Sequence, residues 1–270
     1  MSDLTHTHDA PIFLKLGGSL LTDKTQAEAL RGDVLARLAA EIAAARAARP
    51  GLRLVLGHGS GSFGHVAAAR YGTRGGVAGG AAWLGFAEVS DAASRLNRQV
   101  VAALLAAGVG TVGLPPSASA VVVDGQIQQL AVAPVVAALD AGLLPVVFGD
   151  VVFDTVRGGT IISTEEVLGY LARVLRPAWL LLAGETDGVY DAAGQVIEHI
   201  TRATLPDVLP ALGGSRGTDV TGGMASKVMA MLILTAALPG LRVRVFSGLQ
   251  PGLLTELLLD PSSPHGTELS

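Results

Sequence analysis

The chain contains no cysteine. That excludes disulfides, thiolate-held metals and a cysteine nucleophile, and it leaves the redox compartment undecided. Aromatic residues make up only 4% of the chain while half of it is hydrophobic, so a core has to be built from Ala, Val, Leu and Ile. There is no basic excess either. The formal net charge is −4, and no broad positive surface advertises nucleic acid. The longest apolar run, Leu130–Phe153, is cut by Pro134, Asp140, Pro145 and Asp150; it reads as helix, turn and strand, not as a membrane span. The first eleven residues are polar and lack the apolar centre of a signal peptide. These absences predict a soluble cytoplasmic protein with no nucleic-acid or membrane partner.

Lysine is nearly missing too. Of nineteen basic residues only three are lysines, Lys15, Lys24 and Lys227. Surface positions in this chain use arginine, so a lysine marks a place where a compact, flexible ammonium is wanted.

What is present alternates between strand and helix signals. Pro11–Leu16 is a β-type run, and Arg31–Arg49 has apolar residues at helical spacing. Leu52–Leu56 is a buried strand, and a helix is expected to open at His65. Ala81–Ala107 reads as a long helix, Val109–Leu114 as a strand, and Val121–Val123 with Ile127-Gln128 as a hairpin around Asp124-Gly125. Helix Ala131–Ala141 and strand Leu144–Phe148 follow. A second hairpin pairs Val151–Phe153 with Thr160–Ile162. A helix capped by Ser163 follows, then strand Trp179–Leu182, helix Ala225–Ala237, strand Arg242–Phe246 and a last helix, Gly252–Leu259. The glycine-rich stretch Gly72–Gly80 is expected to be mobile, as a plain connection or as a flap. The pattern predicts an α/β protein with a mostly parallel sheet covered on both faces and a few hairpin additions. No repeat or linker divides it, so residues 11–270 form one domain behind a flexible tail, residues 1–10.

Three glycine elements carry the chemistry: Gly17-Gly18-Ser19, Gly57–Gly64 and Gly222-Gly223. Glycines bare backbone N–H groups to an anion, and a helix N-terminus adds a positive dipole end. None of the three fits a P-loop, and none is followed by the acid of a dinucleotide fold. Each lysine lies beside or within such an element, which points to phosphoryl transfer between two anions. That reaction rests on positioning and charge cancellation, shared here among lysines, backbone N–H groups and Mg²⁺. A phosphate is expected at residues 57–65, touched by His65. His58 reads as a core or supporting residue. Asp150, Glu185 and Asp187 are carboxylates at strand ends, but no strong metal cluster emerges, so no protein metal ligand is assigned.

Lys15-Leu16-Gly17-Gly18-Ser19 resembles the amino acid kinase superfamily, and His58-Gly59-Ser60-Gly61-Ser62-Phe63-Gly64-His65 looks like the loop of the isopentenyl phosphate kinases within it, which ends in Phe-Gly-His. Leu20–Lys24, Pro145–Asp150, Ile161–Ser163, Asp187–Val189, Asp219–Met224 with Lys227, and Gly266–Glu268 agree as well. The resemblance implies an open αβα sandwich, usually a homodimer. ATP would lie over the C-terminal part, from about residue 175, and the acceptor over the N-terminal part. By position, Lys15 and Lys227 would hold ATP phosphates together with Gly17, Gly18, Ser19 and Gly61, and Glu185 and Gly222 would line the nucleotide site. Lys24 would stabilise the transferring group. His65 would bind the acceptor's phosphate with Ser60, Gly64 and Gly149 nearby, and Asp150 would orient Lys15 or Lys24. The family more often has Gly at the position of Ser60 and Asp at that of Glu185, and its second lysine near Lys227 is missing here. The implied activity is ATP-dependent phosphorylation of isopentenyl phosphate to isopentenyl diphosphate. A kinase for another phosphate or phosphonate, such as fosfomycin, and a non-catalytic nucleotide-binding relative are the alternatives.

Overall fold

The computed structural model describes residues 10–212 and 223–270, the side chains of His65 and Val66 excepted. The chain opens with strand β1 (Ile12–Leu16), the short helix α1 (Gly18–Leu21) and a two-rung hairpin, β2 (Thr22–Asp23) with β3 (Ala29–Leu30). Helix α2 (Gly32–Ala48), strand β4 (Leu54–His58), helix α3 (Gly61–Tyr71) and the long helix α4 (Gly80–Ala106) follow. Next come strands β5 (Thr111–Gly113), β6 (Val121–Val123) and β7 (Gln126–Gln129), helix α5 (Ala133–Asp140), and strands β8 (Leu144–Phe148), β9 (Asp150–Asp154) and β10 (Gly158–Ile162). Helix α6 (Thr164–Leu175), strands β11 (Trp179–Gly184) and β12 (His199–Ile200), and helices α7 (Leu205–Leu212) and α8 (Gly223–Ala237) lead to β13 (Arg242–Ser247), α9 (Leu253–Leu259) and β14 (Thr267–Leu269).

Eight strands form the main sheet in the order β12-β14-β13-β11-β1-β4-β8-β5. Pairings from β5 through β13 are parallel, and only β13–β14 is antiparallel. The four strands β10-β9-β6-β7 make a smaller sheet from the two expected hairpins. Side chains of a strand alternate between faces, and β1 shows what this sets up. Phe13 packs with Val55, Val147 and Leu180 against α5, α6 and α8. Ile12, Leu14 and Leu16 pack on the opposite face against α2, α9 and the C-terminal half of α4. Both faces are covered, giving three layers. Lys15 shares the parity of Phe13 and therefore stands on the α6–α8 face.

Most expected elements are present, with shifted ends. Helix α3 begins at Gly61, a turn before His65, so the last glycines of the loop are helical. Residues 72–80 are tied down: Thr73 and Val77 are buried, the Val77 N–H donates to the Arg157 carbonyl at 2.9 Å, and the Thr160 hydroxyl donates to the Arg74 carbonyl at 2.9 Å.

Candidate functional site

The chain fills the β4–β8–β5 side of β1 first and the β11–β13 side afterwards. Its topological switch therefore lies beside β1, where open α/β sheets place ligands at the carboxyl ends of strands. Two glycine loops meet there. A Cβ on Gly18 would stand 2.4 Å from the Gly61 nitrogen, so only glycine allows the loop after β1 to touch the loop after β4. Gly61 has φ +50, and a Cβ on it would stand 2.1 Å from the Thr22 hydroxyl. That hydroxyl donates to the Gly18 carbonyl and accepts from the Ser62 N–H, both at 2.8 Å. The Gly59 N–H donates to the Leu16 carbonyl at 3.0 Å, and that of Gly17 to Ala183 at 2.8 Å. The Gly17 amide is thereby occupied. The first-turn N–H groups of α1, Gly18 and Ser19 among them, have no intrahelical partner.

Lys15 meets Glu165, the second residue of α6. Helix α6 is held in place by a capping box: the Ser163 hydroxyl accepts the Glu166 N–H at 3.2 Å, and the Glu166 carboxylate accepts the Ser163 N–H at 2.5 Å. Burial works against the charge on Glu165. The Lys15 ammonium, the residue's own N–H and the charge of Lys227 outweigh it, and together they hold the carboxyl below the usual range. A lysine from β1 and a lysine from α8 thus act on one carboxylate. Asp150 is expected to orient Lys15 or Lys24, whereas the carboxylate that pairs with Lys15 is Glu165. Asp150 is buried at the start of β9 and accepts the Val151 N–H at 2.8 Å. Burial pushes its pKa up, opposed by hydrogen bonding that includes the Val151 N–H.

At the ends of β4 and β8, the Gly149 N–H donates to the Thr164 hydroxyl at 2.9 Å, which donates to the His58 carbonyl at 2.6 Å. One threonine at the start of α6 thus joins the ends of β4 and β8. The His58 ring is fully buried and stacks on Phe148 with centroids 5.4 Å apart. Its Nε2 lies 3.1 Å from the Asn97 side chain and its Nδ1 3.2 Å from the Gly59 carbonyl. Burial lowers its pKa, against the Asn97 and Gly59 contacts, so it is a supporting residue of the loop. Ser60 packs over Gly64, where a Cβ would stand 2.6 Å from the serine Cβ. His65 lies in the first turns of α3; its side chain, like Gly222, falls outside the described residues. Glu185 pairs with Arg31 at 2.7 Å. Lys24 is exposed on the turn between β2 and β3 and makes no ion pair among the described residues.

Beyond the first turns of α3 is a small apolar cluster, Val77, Phe86, Val89 and Val151, with Ala67, Ala68, Ala82 and Ile161 packed against it. Trp83 and Phe153 close it from outside, with centroids 5.3 Å and 5.3 Å from Phe86 respectively. Of this wall, the sequence shows the long helix that carries Trp83, Phe86 and Val89, but not that Val77, Val151 and Phe153 join it from other elements. It also missed Thr164 and Glu165, whose only local signal is the acid-rich start of a helix.

The amino acid kinase family profile matches residues 11–247. The isopentenyl phosphate kinase of Methanothermobacter thermautotrophicus is 34% identical over 260 residues, 92% of this chain and 95% of that protein. The isopentenyl phosphate kinase of Haloferax volcanii is 40% identical over 226 residues, 83% of this chain and 88% of that protein. A crystal structure of an isopentenyl phosphate kinase superposes with a TM-score of 0.80 at 29% identity, covering 96% of this chain and 99% of its own.

Proposed function

The chain belongs to the amino acid kinase family and, within it, to the isopentenyl phosphate kinases; from that premise we infer that it transfers the γ-phosphoryl group of ATP to isopentenyl phosphate, giving isopentenyl diphosphate and ADP. The observation that carries the reading is the ion pair of Lys15 with Glu165 beside the interlocked glycine loops, with the charge of Lys227 on α8 adding to it. A cradle that a single Cβ would fill suits a polyphosphate chain pressed against backbone. Two ammonium groups suit its charge.

In this account Lys15 and Lys227 hold the ATP phosphates. Glu165 keeps the Lys15 ammonium aimed, and the backbone of Gly17, Gly18, Ser19 and Gly61 lines the phosphate path. Glu185, with Gly222, borders the nucleotide. Mg²⁺ bound with ATP would neutralise charge on the β- and γ-phosphates; Glu165 is engaged with Lys15 and is not offered as its ligand. The acceptor's phosphate meets His65, Ser60, Gly64 and the backbone at Gly149, while Asp150 supports that wall from behind. Lys24, on its exposed turn, swings onto the transferring group, where negative charge develops. The attacking oxygen is already an anion, so no strong general base is needed. The isopentenyl tail takes the apolar cluster of Val77, Phe86, Val89 and Val151. Among the described residues no helix is long and apolar enough to cross a membrane, and a cytoplasmic homodimer is the state we assign.

The experiment is product analysis. Incubation with ATP, Mg²⁺ and isopentenyl phosphate should give the two phosphorus resonances of a diphosphate ester in ³¹P NMR alongside ADP. ADP appearing without that product would refute the reading. His65→Gln should cut turnover sharply, and wild-type turnover in that variant would remove the histidine from the site.

A further inference from the structure

The turn that carries Lys24 has little apolar anchorage, since residues 24–28 are all exposed. Polar contacts hold it. The Asp23 carboxylate accepts the Thr25 N–H at 2.8 Å and its hydroxyl at 2.7 Å. The Ala29 N–H donates to the Ser62 hydroxyl at 3.2 Å, which fastens the turn to the start of α3. The third anchor is less ordinary. Glu28 has φ +54, a left-handed conformation that non-glycine residues seldom adopt. In this conformation its carboxylate meets Arg95 on α4, 67 residues away, with both oxygens engaged by the guanidinium. Asp91, one turn earlier on α4, holds the same guanidinium from its own helix.

Helix α4 is also the element whose N-terminal half supplies Trp83, Phe86 and Val89 to the apolar wall. A paired-oxygen clasp on Arg95 therefore fixes the Lys24 turn to the helix against which the acceptor's tail would lie. Fork-to-carboxylate pairing sets orientation as well as distance. An exposed ion pair adds little to global stability, so its value here is geometric.

We propose that Glu28 and Arg95 are positioning residues for phosphoryl transfer, a clasp that holds the Lys24 turn in register with the acceptor helix. This rests on the reading of Lys24 as the group that meets the transferring phosphoryl. Neither residue touches substrate; both act through Lys24.

The test is a mutant cycle on the purified enzyme with ATP and isopentenyl phosphate: Glu28→Gln, Arg95→Met and the double variant, with Arg95→Lys and Lys24→Ala alongside. Each single variant should lower kcat by about tenfold, since small misplacement of a charge-stabilising group is costly, and should leave KM for ATP within about twofold. The double variant should be no slower than the singles, because both remove one interaction. Arg95→Lys should recover part of the loss. Added NaCl should slow the wild type, whose clasp is screened, more than the variants, and the thermal midpoints should coincide. Unchanged kcat in both singles, or losses that multiply in the double variant, would overturn the clasp. If Lys24→Ala turns over like the wild type, the role of Lys24 fails and the clasp falls with it. If Lys24→Ala is impaired while Glu28→Gln and Arg95→Met are not, the clasp alone fails.

Discussion

Glu165 and Lys15 are 150 positions apart and form the central ion pair of the site. The lysine was legible in the sequence because lysine is so rare here and because it sits beside a glycine pair. The glutamate was not. An acid in the first turn of a helix is ordinary dipole complementarity, and nothing local says that α6 starts next to the end of β1. Sequence position alone favours Asp150 as the partner of Lys15, whereas the carboxylate paired with it is Glu165. Replacing Glu165 by Gln keeps the shape but leaves the Lys15 ammonium without its counter-charge. We expect kcat/KM for ATP to fall by about tenfold or more, as loss of a charge-assisted contact in a partly buried site implies. Steady-state kinetics with varied ATP checks it. Lys24→Ala is expected to differ in kind, lowering kcat with little change in KM for ATP, because a contact made in the transition state acts selectively.

At the scale of elements, two loops and two hairpins do most of the positioning. Gly18 and Gly61 let the loops after β1 and β4 interlock, and the sequence showed both glycines without showing that they touch. Gly18→Ala would set a Cβ against the Gly61 backbone, 2.4 Å from its nitrogen, and force the loops apart. The expected result is a folded protein by circular dichroism that has lost most of its ATP-dependent turnover. The two hairpins are joined by Asp154, whose carboxylate accepts N–H groups of Gly125 at 2.6 Å, Val156 at 2.8 Å, Arg157 at 2.9 Å and Asp124 at 3.1 Å. Burial alone would raise its pKa, but the N–H groups of Arg157, Gly125, Val156 and Asp124 overrule it and bring it down to about 2. A carboxyl with a depressed pKa stabilises the fold above its unfolded value and loses that contribution as pH falls. The stabilisation is therefore complete above about pH 4 and fades towards pH 2. Asp154→Asn should lower the thermal midpoint at pH 7 and flatten the acid limb of a stability–pH profile. An acid limb that overlays the wild type would contradict this. Strands β2, β3, β12 and β14 were missed in sequence because they are too short for periodicity to register, and helix α7 because Pro206 and Pro210 punctuate it. In the loop at 72–80 the glycines are visible in sequence while its backbone bonds to Arg157 and Thr160 are not.

For the whole molecule, the α/β class and two-faced sheet were readable from strand–helix alternation, and the strand order was not. That order puts the switch point beside β1, which is why residues from 15 to 227 converge. In the function proposed here it would also set the two ligands apart, with the apolar cluster of α3, α4, β9 and β10 on one side and α8 on the other. The central claim is that a phosphate with a short apolar tail, and not merely an anion, is the acceptor. The direct measurement is ADP release over a panel of acceptors at equal ATP, comparing kcat/KM for isopentenyl phosphate, fosfomycin and other small phosphates. Preference for isopentenyl phosphate by orders of magnitude is the predicted result. Preference for fosfomycin, or no transfer to any acceptor, would contradict it.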